Sequence, residues 1–328
     1  MKSEGWLSGR QIVNCVATIG AFDGVHRGHQ CLLEQVRHIA DARGLDAVAI
    51  TFGTSPKRVL GMPEAPQLST LAERTALLRQ MGMDDVVLLN FTPQMAAMTA
   101  RDFMQQVLKE QLHVKVLVIG YDHRFGCGRS EGFDDYVNYG HEMGIEVIRG
   151  EACLDNGEPV SSTRIRQLLK MGQVDEAALL LGHRYMLHGK VVGGYREGRK
   201  MGFPTANLYV DDMAKLIPAD GVYAVYANVV NNANESEDYK GDEDNFPSAT
   251  FDFQLVGMLN IGYRPTLNNG QERSIEVHIL DFQGDLYGKT VAVEFAHYLR
   301  GECTFGSVEE LTEQLQKDKE RVKQLLSR

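Results

Sequence analysis

From residue 11 to about residue 182, short β-branched runs alternate with amphipathic stretches, and few folds accept that alternation. The runs predict strands over Ile12–Ile19, Ala47–Phe52, Asp85–Leu89, Val114–Ile119 and Ile145–Ile148. Helical periodicity fills the gaps near 30–43, 69–81, 99–111 and 131–143. In the first of these, Leu32, Leu33, Val36, Ile39 and Ala40 form one apolar face. Strands joined by helices imply a parallel, doubly wound α/β sheet, whose ligands sit at the carboxyl ends of the strands.

The pattern changes after residue 183. Short alternating strands are predicted at Val222–Val230, Phe251–Ile261, Ser274–Leu280 and Thr290–Phe295, punctuated by glycine and proline. They imply a small antiparallel barrel or sandwich. An amphipathic helix over about 307–326 closes the chain, with Leu311, Leu315, Val322 and Leu325 on one side. Residues 231–245 are acidic and lack apolar periodicity, which predicts an exposed, mobile loop. A length of 328 residues admits two cores, so a boundary is expected near Leu181–Arg184.

The net charge of −10 argues against a nonspecific nucleic-acid partner, so any phosphate must be held by local donors and a metal. The five cysteines are scattered and form no C-x-x-C pair, as expected of a reducing compartment. No apolar run is long enough to span a bilayer, so a cytoplasmic enzyme is expected, with no membrane partner.

Three segments carry chemistry in the first half. Gly20-Ala-Phe-Asp-Gly-Val-His-Arg-Gly-His29 links the first strand to the first helix. Glycines let the backbone approach a ligand, and a helix start favours phosphate. His26 and His29 taken alone read as ordinary turn residues; in this setting they are placed to donate hydrogen bonds to a phosphate under attack. Gly120-Tyr-Asp-His-Arg-Phe-Gly-Cys-Gly128 follows a strand in the same way, bringing Asp122 and Arg124 to the sheet's carboxyl edge. Ser161–Arg166 starts a helix with Ile165, Leu168 and Leu169 as its buried side. Its serines and threonine could be plain caps, yet Arg166 lies one turn beyond Ser162 and Thr163, an arrangement that suits a triphosphate.

In the second half, Gly198–Asn207 places Thr205 and Asn207 on one side of an extended segment and Ala206 on the other. A hydroxyl and an amide oxygen beside a glycine-rich basic loop can hold Mg²⁺ and phosphate oxygens together, although a buried polar pair at a strand end has the same pattern. Glu276 and His278 also share a face, with Ile275, Val277 and Ile279 opposite. Periodicity alone makes that face solvated; a general base would have to be such a carboxylate.

These motifs together resemble the prokaryotic bifunctional riboflavin kinase/FAD synthetase family, nearly end to end. The resemblance runs through Gly20–His29, Gly120–Gly128, Ser161–Arg166, Leu181–Arg184 and Gly202–Asn207. It continues in Asn260–Thr266, Glu276–Phe282, Gly284–Gly288 and Leu299–Arg300. It implies a Rossmann-like nucleotidyltransferase domain over 1–182 with a parallel sheet, and a small antiparallel β-barrel kinase domain over 183–328 ending in a helix. It also implies two ATP-dependent reactions, riboflavin to FMN in the barrel and FMN to FAD with release of pyrophosphate in the first domain.

The roles it implies are as follows. His26 and His29 stabilise the transferred phosphate, and Arg166, Ser162 and Thr163 hold the others. Gly20, Phe22, Asp23, Asp122 and Arg124 lie against ATP in the first domain, Gly202 and Asn207 in the second. Thr205 and Asn207 hold Mg²⁺, Glu276 is the base, and Arg300 and Asp281 bind flavin. The segment Thr51–Leu60 departs from the family pattern, lacking its histidine between two prolines, and His123 stands where the family has phenylalanine. Two competing readings are a binding protein without turnover and an enzyme with kinase activity alone.

Overall fold

The computed structural model describes residues 6–7, 14–121, 123–155, 157–193, 198, 201–230, 255–265 and 271–326. The chain divides into two compact units, Met1–Ser162 and Thr163–Arg328.

In the first unit, β1 (Trp6–Leu7), β2 (Cys15–Ile19), β3 (Asp46–Phe52), β4 (Asp85–Leu89), β5 (Val114–Ile119) and β6 (Glu146–Arg149) form one sheet in the order β1-β4-β3-β2-β5-β6. The five strands from β2 to β6 are mutually parallel, and β1 pairs antiparallel with β4 at the edge. A small hairpin, β7 (Leu154–Asp155) with β8 (Glu158–Pro159), follows. The helices are α1 (Arg27–Arg43), α2 (Pro56–Val59), α3 (Leu71–Gln80), α4 (Pro93–Ala96), α5 (Ala100–Phe103) and α6 (Phe133–Met143). A π-helical stretch, Met104–Gln111, carries on from α5.

The sheet is apolar on both faces because both are covered. Cys15, Ala17 and Ile19 of β2 point into one core with Met104, Leu108, Tyr136 and Met143. Val16, between them, points into the other with Leu32, Leu33, Val36, Ala40 and Leu78. Helix α1 starts at Arg27, three residues before the periodicity suggests, so both histidines of the turn sit at its beginning. Glycine at 28 breaks the apolar pattern without preventing helix, since a first-turn residue needs no side chain to pack.

In the second unit, α8 (Val174–Leu181) follows α7 (Ser162–Lys170), whose first residue lies at the division. Both helices are tied to the barrel, through Ala219 N donating to Leu169 O at 3.0 Å and His297 beside Asp175 at 2.6 Å. The barrel is closed and wholly antiparallel, in the order β10-β13-β12-β11-β14-β9. Its strands are β9 (Met186–Val192), β10 (Ala206–Tyr209), β11 (Gly221–Val230), β12 (Leu255–Pro265), β13 (Gln271–Ile279) and β14 (Thr290–Arg300). The barrel alternative, rather than the sandwich, is therefore the one adopted. A strand over 186–192 is not evident from the sequence, because Gly189 interrupts its short alternation. That glycine is required: a Cβ there would lie 2.6 Å from Tyr209 O. The terminal helix α9 (Val308–Leu326) lays Val322 and Leu326 against Ala224, Met258 and Ala296, with Leu315 at the margin. The acidic stretch 231–245 and the first residues of the strand expected at 251 lie outside the described residues.

Candidate active sites

The first site follows from the strand order. The chain leaves β2 toward β3 and β4 on one flank, then returns to β5 and β6 on the other. The carboxyl ends of β2 and β5 are thus the switch point where an open α/β sheet opens a crevice. Gly20–His29 follows β2 there, and Gly120–Gly128 follows β5.

The turn after β2 is strained. Phe22 has φ 48° and Val25 φ 39°, both unusual for residues with side chains, and Gly24 between them has φ 77°. Buried polar bonds hold it. The Asp23 carboxylate accepts from Leu68 N at 2.9 Å and Ser69 N at 3.0 Å, while Gly24 N donates to Ser69 Oγ at 2.9 Å. Asp23, expected beside ATP, thus spends its carboxylate on tethering the turn to the segment before α3.

His26 is the N-cap of α1, and its ring stacks on His29 with centroids 3.7 Å apart and planes 17° apart. Phe22 meets His29 edge-on at 5.3 Å. Two parallel imidazoles sit at the helix start, where backbone N–H groups also point. His29 Nδ1 is buried and has no hydrogen-bond partner among the described residues. Burial first, then His26, Arg74 and His123, hold the His29 pKa well below its ordinary value. His29 is therefore neutral at neutral pH, with one N–H to donate. Space around the pair is tight. A Cβ on Gly28 would lie 3.2 Å from His26 Cε1 and 3.2 Å from Val160 O, and one on Gly20 would meet the Phe22 ring at 3.0 Å.

The loop after β5 is anchored by Phe125, which stacks on Tyr136 at 4.3 Å, and by Gly126, whose φ of 91° brings it against Ala100. A Cβ on Gly126 would lie 2.6 Å from Ala100 N. Arg124 is exposed beside this anchor, and Asp122 lies outside the described residues. Ser162 Oγ donates to Asp23 O at 3.4 Å, so the start of α7 meets the strained turn. Thr163 and Arg166 follow on the same helix but are counted with the second unit.

The second site is built on barrel register. Asn207 lies opposite Glu276, and Glu276 lies opposite Asn260, so three polar side chains form a row across β10, β13 and β12 on one face. Thr205, just before β10, donates from Oγ1 to Glu276 Oε2 at 3.2 Å. Gly202, at φ 80°, shapes the preceding turn, where Phe203 N returns to Gly198 O at 2.8 Å. Arg199 and Lys200 lie outside the described residues.

The face carrying Glu276 and His278 is not simply solvated. His278 is buried, edge-on to Phe203 at 5.3 Å, and its Nδ1 lies 2.8 Å from Pro204 O. A carbonyl only accepts, so Nδ1 carries the proton. Burial keeps the His278 pKa below its ordinary value. The neutral ring thereby pins the residue preceding Thr205. Alternation missed this because α9 covers the outer face next to His278, which one strand's pattern cannot reveal. Arg300 and Asp281 both engage α9: Arg300 Nη2 bonds Asp318 Oδ2 at 2.7 Å, with Nε on both oxygens, and Asp281 pairs with Lys323 at 3.0 Å.

Thr205 Oγ1, Asn207 and Glu276 are hard oxygen donors in a half-open setting, which suits Mg²⁺ shared with phosphate oxygens and water. No cluster of three or more His, Cys, Asp or Glu side chains suited to a metal occurs among the described residues. Sequence reasoning missed Asn260, which only the register adds to the row. It also missed Arg74, whose place in an ordinary amphipathic helix gives no signal.

Comparison with known proteins matches each unit separately. Residues 10–164 match the FAD synthetase family and residues 181–326 the riboflavin kinase family. The bifunctional riboflavin kinase/FMN adenylyltransferase of Escherichia coli strain K12 is 36% identical over 93% of this chain and 90% of its own. That of Haemophilus influenzae is 35% identical, over 96% and 95%. A crystal structure from Streptococcus pneumoniae, named a macrolide-efflux protein, is 34% identical with a TM-score of 0.81, covering 95% of this chain and 94% of that one. Among the described residues, no helix is long and apolar enough to cross a membrane.

Proposed function

The chain belongs to the family of bifunctional riboflavin kinases/FMN adenylyltransferases, and we propose how its two sites divide the two reactions of that family. It phosphorylates riboflavin to FMN with ATP and joins FMN to the AMP part of a second ATP, giving FAD and pyrophosphate.

Adenylylation belongs to the crevice beyond β2 and β5. An oxygen of the FMN phosphate bonds to the α-phosphorus of ATP as the bridge to the β-phosphate breaks. The nucleophile is already ionised, so no protein nucleophile or base is needed, and the chain contributes position and charge neutralisation. His26 and His29 donate to the α-phosphate oxygens as negative charge grows there. Gly20 and Phe22 shape the ATP-facing turn, Asp23 supports it from behind, and Ser162 reaches it from α7. Roles for Asp122, Arg124, Thr163 and Arg166 as further ATP ligands are carried by their motifs alone.

Phosphorylation belongs to the polar row on the barrel. Glu276 accepts the proton of the terminal ribityl hydroxyl as that oxygen bonds to the γ-phosphorus. Thr205 and Asn207 would hold Mg²⁺, which supplies charge neutralisation for the ATP phosphates. Gly202 lets the backbone come close to them. Arg300 and Asp281 are proposed on the flavin side, where their bonds to α9 make them positioning groups. The functional boundary is proposed at 182/183, beside the start of the riboflavin kinase match at 181; α7 and α8, which precede it, fold with the barrel. ATP as donor in both steps supports a cytoplasmic setting.

The stacked His26–His29 pair carries this reading, because it stands in a different compact unit from Thr205, Asn207 and Glu276. Protein incubated with riboflavin, ATP and Mg²⁺ yields FAD, resolved from FMN by chromatography. His29→Ala stops at FMN, and Asn207→Ala makes FAD only when FMN is supplied. One substitution abolishing both steps in folded protein overturns the division.

A further inference from the structure

Arg74 lies one residue past the capping box of α3, in which Thr70 and Glu73 satisfy each other's backbone groups. Its side chain is buried at 8% exposure. Nη1 donates to Ala21 O at 2.8 Å and Nη2 to Phe52 O at 3.0 Å, while Nε is buried with no partner. Both carbonyls are neutral groups. The acid acting on Arg74 is Asp23, whose carboxylate is already bonded to Leu68 N and Ser69 N. A cation is thus held inside the protein by carbonyls, with Asp23 acting only through space, although burying an ion without a bonded counter-ion is costly.

Its two acceptors explain the placement. Ala21 opens the strained turn after β2, and Phe52 ends β3, the neighbouring parallel strand. Carbonyl oxygens at the carboxyl edge of a parallel sheet are negative dipole ends beside a crevice meant for phosphate. Arg74 takes up two of them and adds positive charge behind the turn. Phe22, the residue after Ala21, rests edge-on against His29.

We propose that Arg74 is a positioning residue for adenylylation, fixing the histidine turn to the end of β3 and setting the positive potential around His29. The inference rests on assigning adenylylation to that turn. The groups facing His29 are His26 at the cap of α1, Arg74 from α3 and His123 from the loop after β5, and Arg74 itself faces Asp23. All of those acting on His29 disfavour its protonation, in line with burial.

The test compares Arg74→Gln and Arg74→Lys in the full-length chain, with folding of each checked by a thermal melt. Arg74→Gln is expected to lower kcat for FAD formation by about tenfold or more, the scale of losing one preorganised electrostatic contact, while FMN formation by the same sample is unchanged. Removing a neighbouring cation also eases protonation of His29. The acid limb of the adenylylation profile and the His29 imidazole titration, followed by NMR, therefore both move to higher pH. Arg74→Lys keeps the charge and leaves the titration where it was, with a partial loss of rate from the missing second carbonyl bond. An unmoved His29 titration in folded Arg74→Gln overturns the proposal even if the rate falls, since Arg74 is then a structural brace. Should Arg74→Gln not fold, a titration moved upward in Arg74→Lys overturns it, and an unmoved one with partial rate loss supports it. The NMR readout needs no turnover, so it stays informative if His29→Ala proves adenylylation to lie elsewhere.

Discussion

Gly28→Ala tests the site with opposite expectations for stability and activity. Gly28 is the second residue of α1, and its backbone lies where an alanine can sit. Helix propensity alone makes the change stabilising by up to about 1 kcal/mol, less in a first turn than in a helix interior. Against that, the new methyl sits 3.2 Å from both His26 Cε1 and Val160 O. A carbonyl of the main chain yields less readily than a side-chain ring, so the ring moves by a few tenths of an ångström. Its stack on His29, at 3.7 Å between centroids, moves with it. The two terms roughly cancel in stability, and the melting temperature should change by no more than about 2 °C, the scale of half a kcal/mol or less in a chain of this size. Chemistry is less tolerant, since a misplacement approaching 1 Å can cost on the order of a hundredfold. FAD formation from FMN and ATP should therefore fall by about tenfold or more, and FMN formation in the same preparation should not change. Adenylylation within about twofold of the parent chain would refute the reasoning, because it would mean the spacing of the imidazole pair does not matter.

Thr205→Val keeps the shape of an exposed side chain but removes the donor to Glu276, so riboflavin phosphorylation should drop by about tenfold or more with FAD formation from supplied FMN intact. A wild-type kinase rate would remove Thr205 from the site. Asp318→Ala strips the carboxylate partner from Arg300, a half-buried cation, expected to cost about 1–3 kcal/mol in the second unit by denaturant titration. Less than about 1 kcal/mol would show that water replaces the carboxylate at no great cost. His278 titrates lower in the folded chain than its ordinary 6.5, so the unfolded chain binds the extra proton first. Its contribution is complete above pH 6.5 and is lost as pH falls below it; His278→Asn should flatten that part of the stability profile, and an unchanged slope argues against it.

Element type was legible in the first unit because periodicity and β-branched runs report local preference. Val114–Ile119 and Asp85–Leu89 fall on the predicted residues. Ends were less legible: α1 begins at Arg27 because His26 caps it from an extended backbone, which no apolar periodicity records. β9 was hidden by a glycine that the neighbouring strand demands, and β1 pairs two residues with a strand far along the chain.

Sequence by itself determined the chemistry: imidazoles in a glycine-rich turn, and a hydroxyl, an amide and a carboxylate in a barrel. Residue type sets what a side chain can donate, accept or hold, and spacing sets which neighbours share a face. Only tertiary structure decided which distant residues complete each site. Strand order put the Gly20–His29 turn at a switch point, register lined Asn260 up with Glu276, and packing placed Arg74 behind the turn and α9 beside His278. Those are contacts between residues sixteen or more positions apart, and they arise from burying two sheets' worth of apolar surface at once, a constraint that no local window contains.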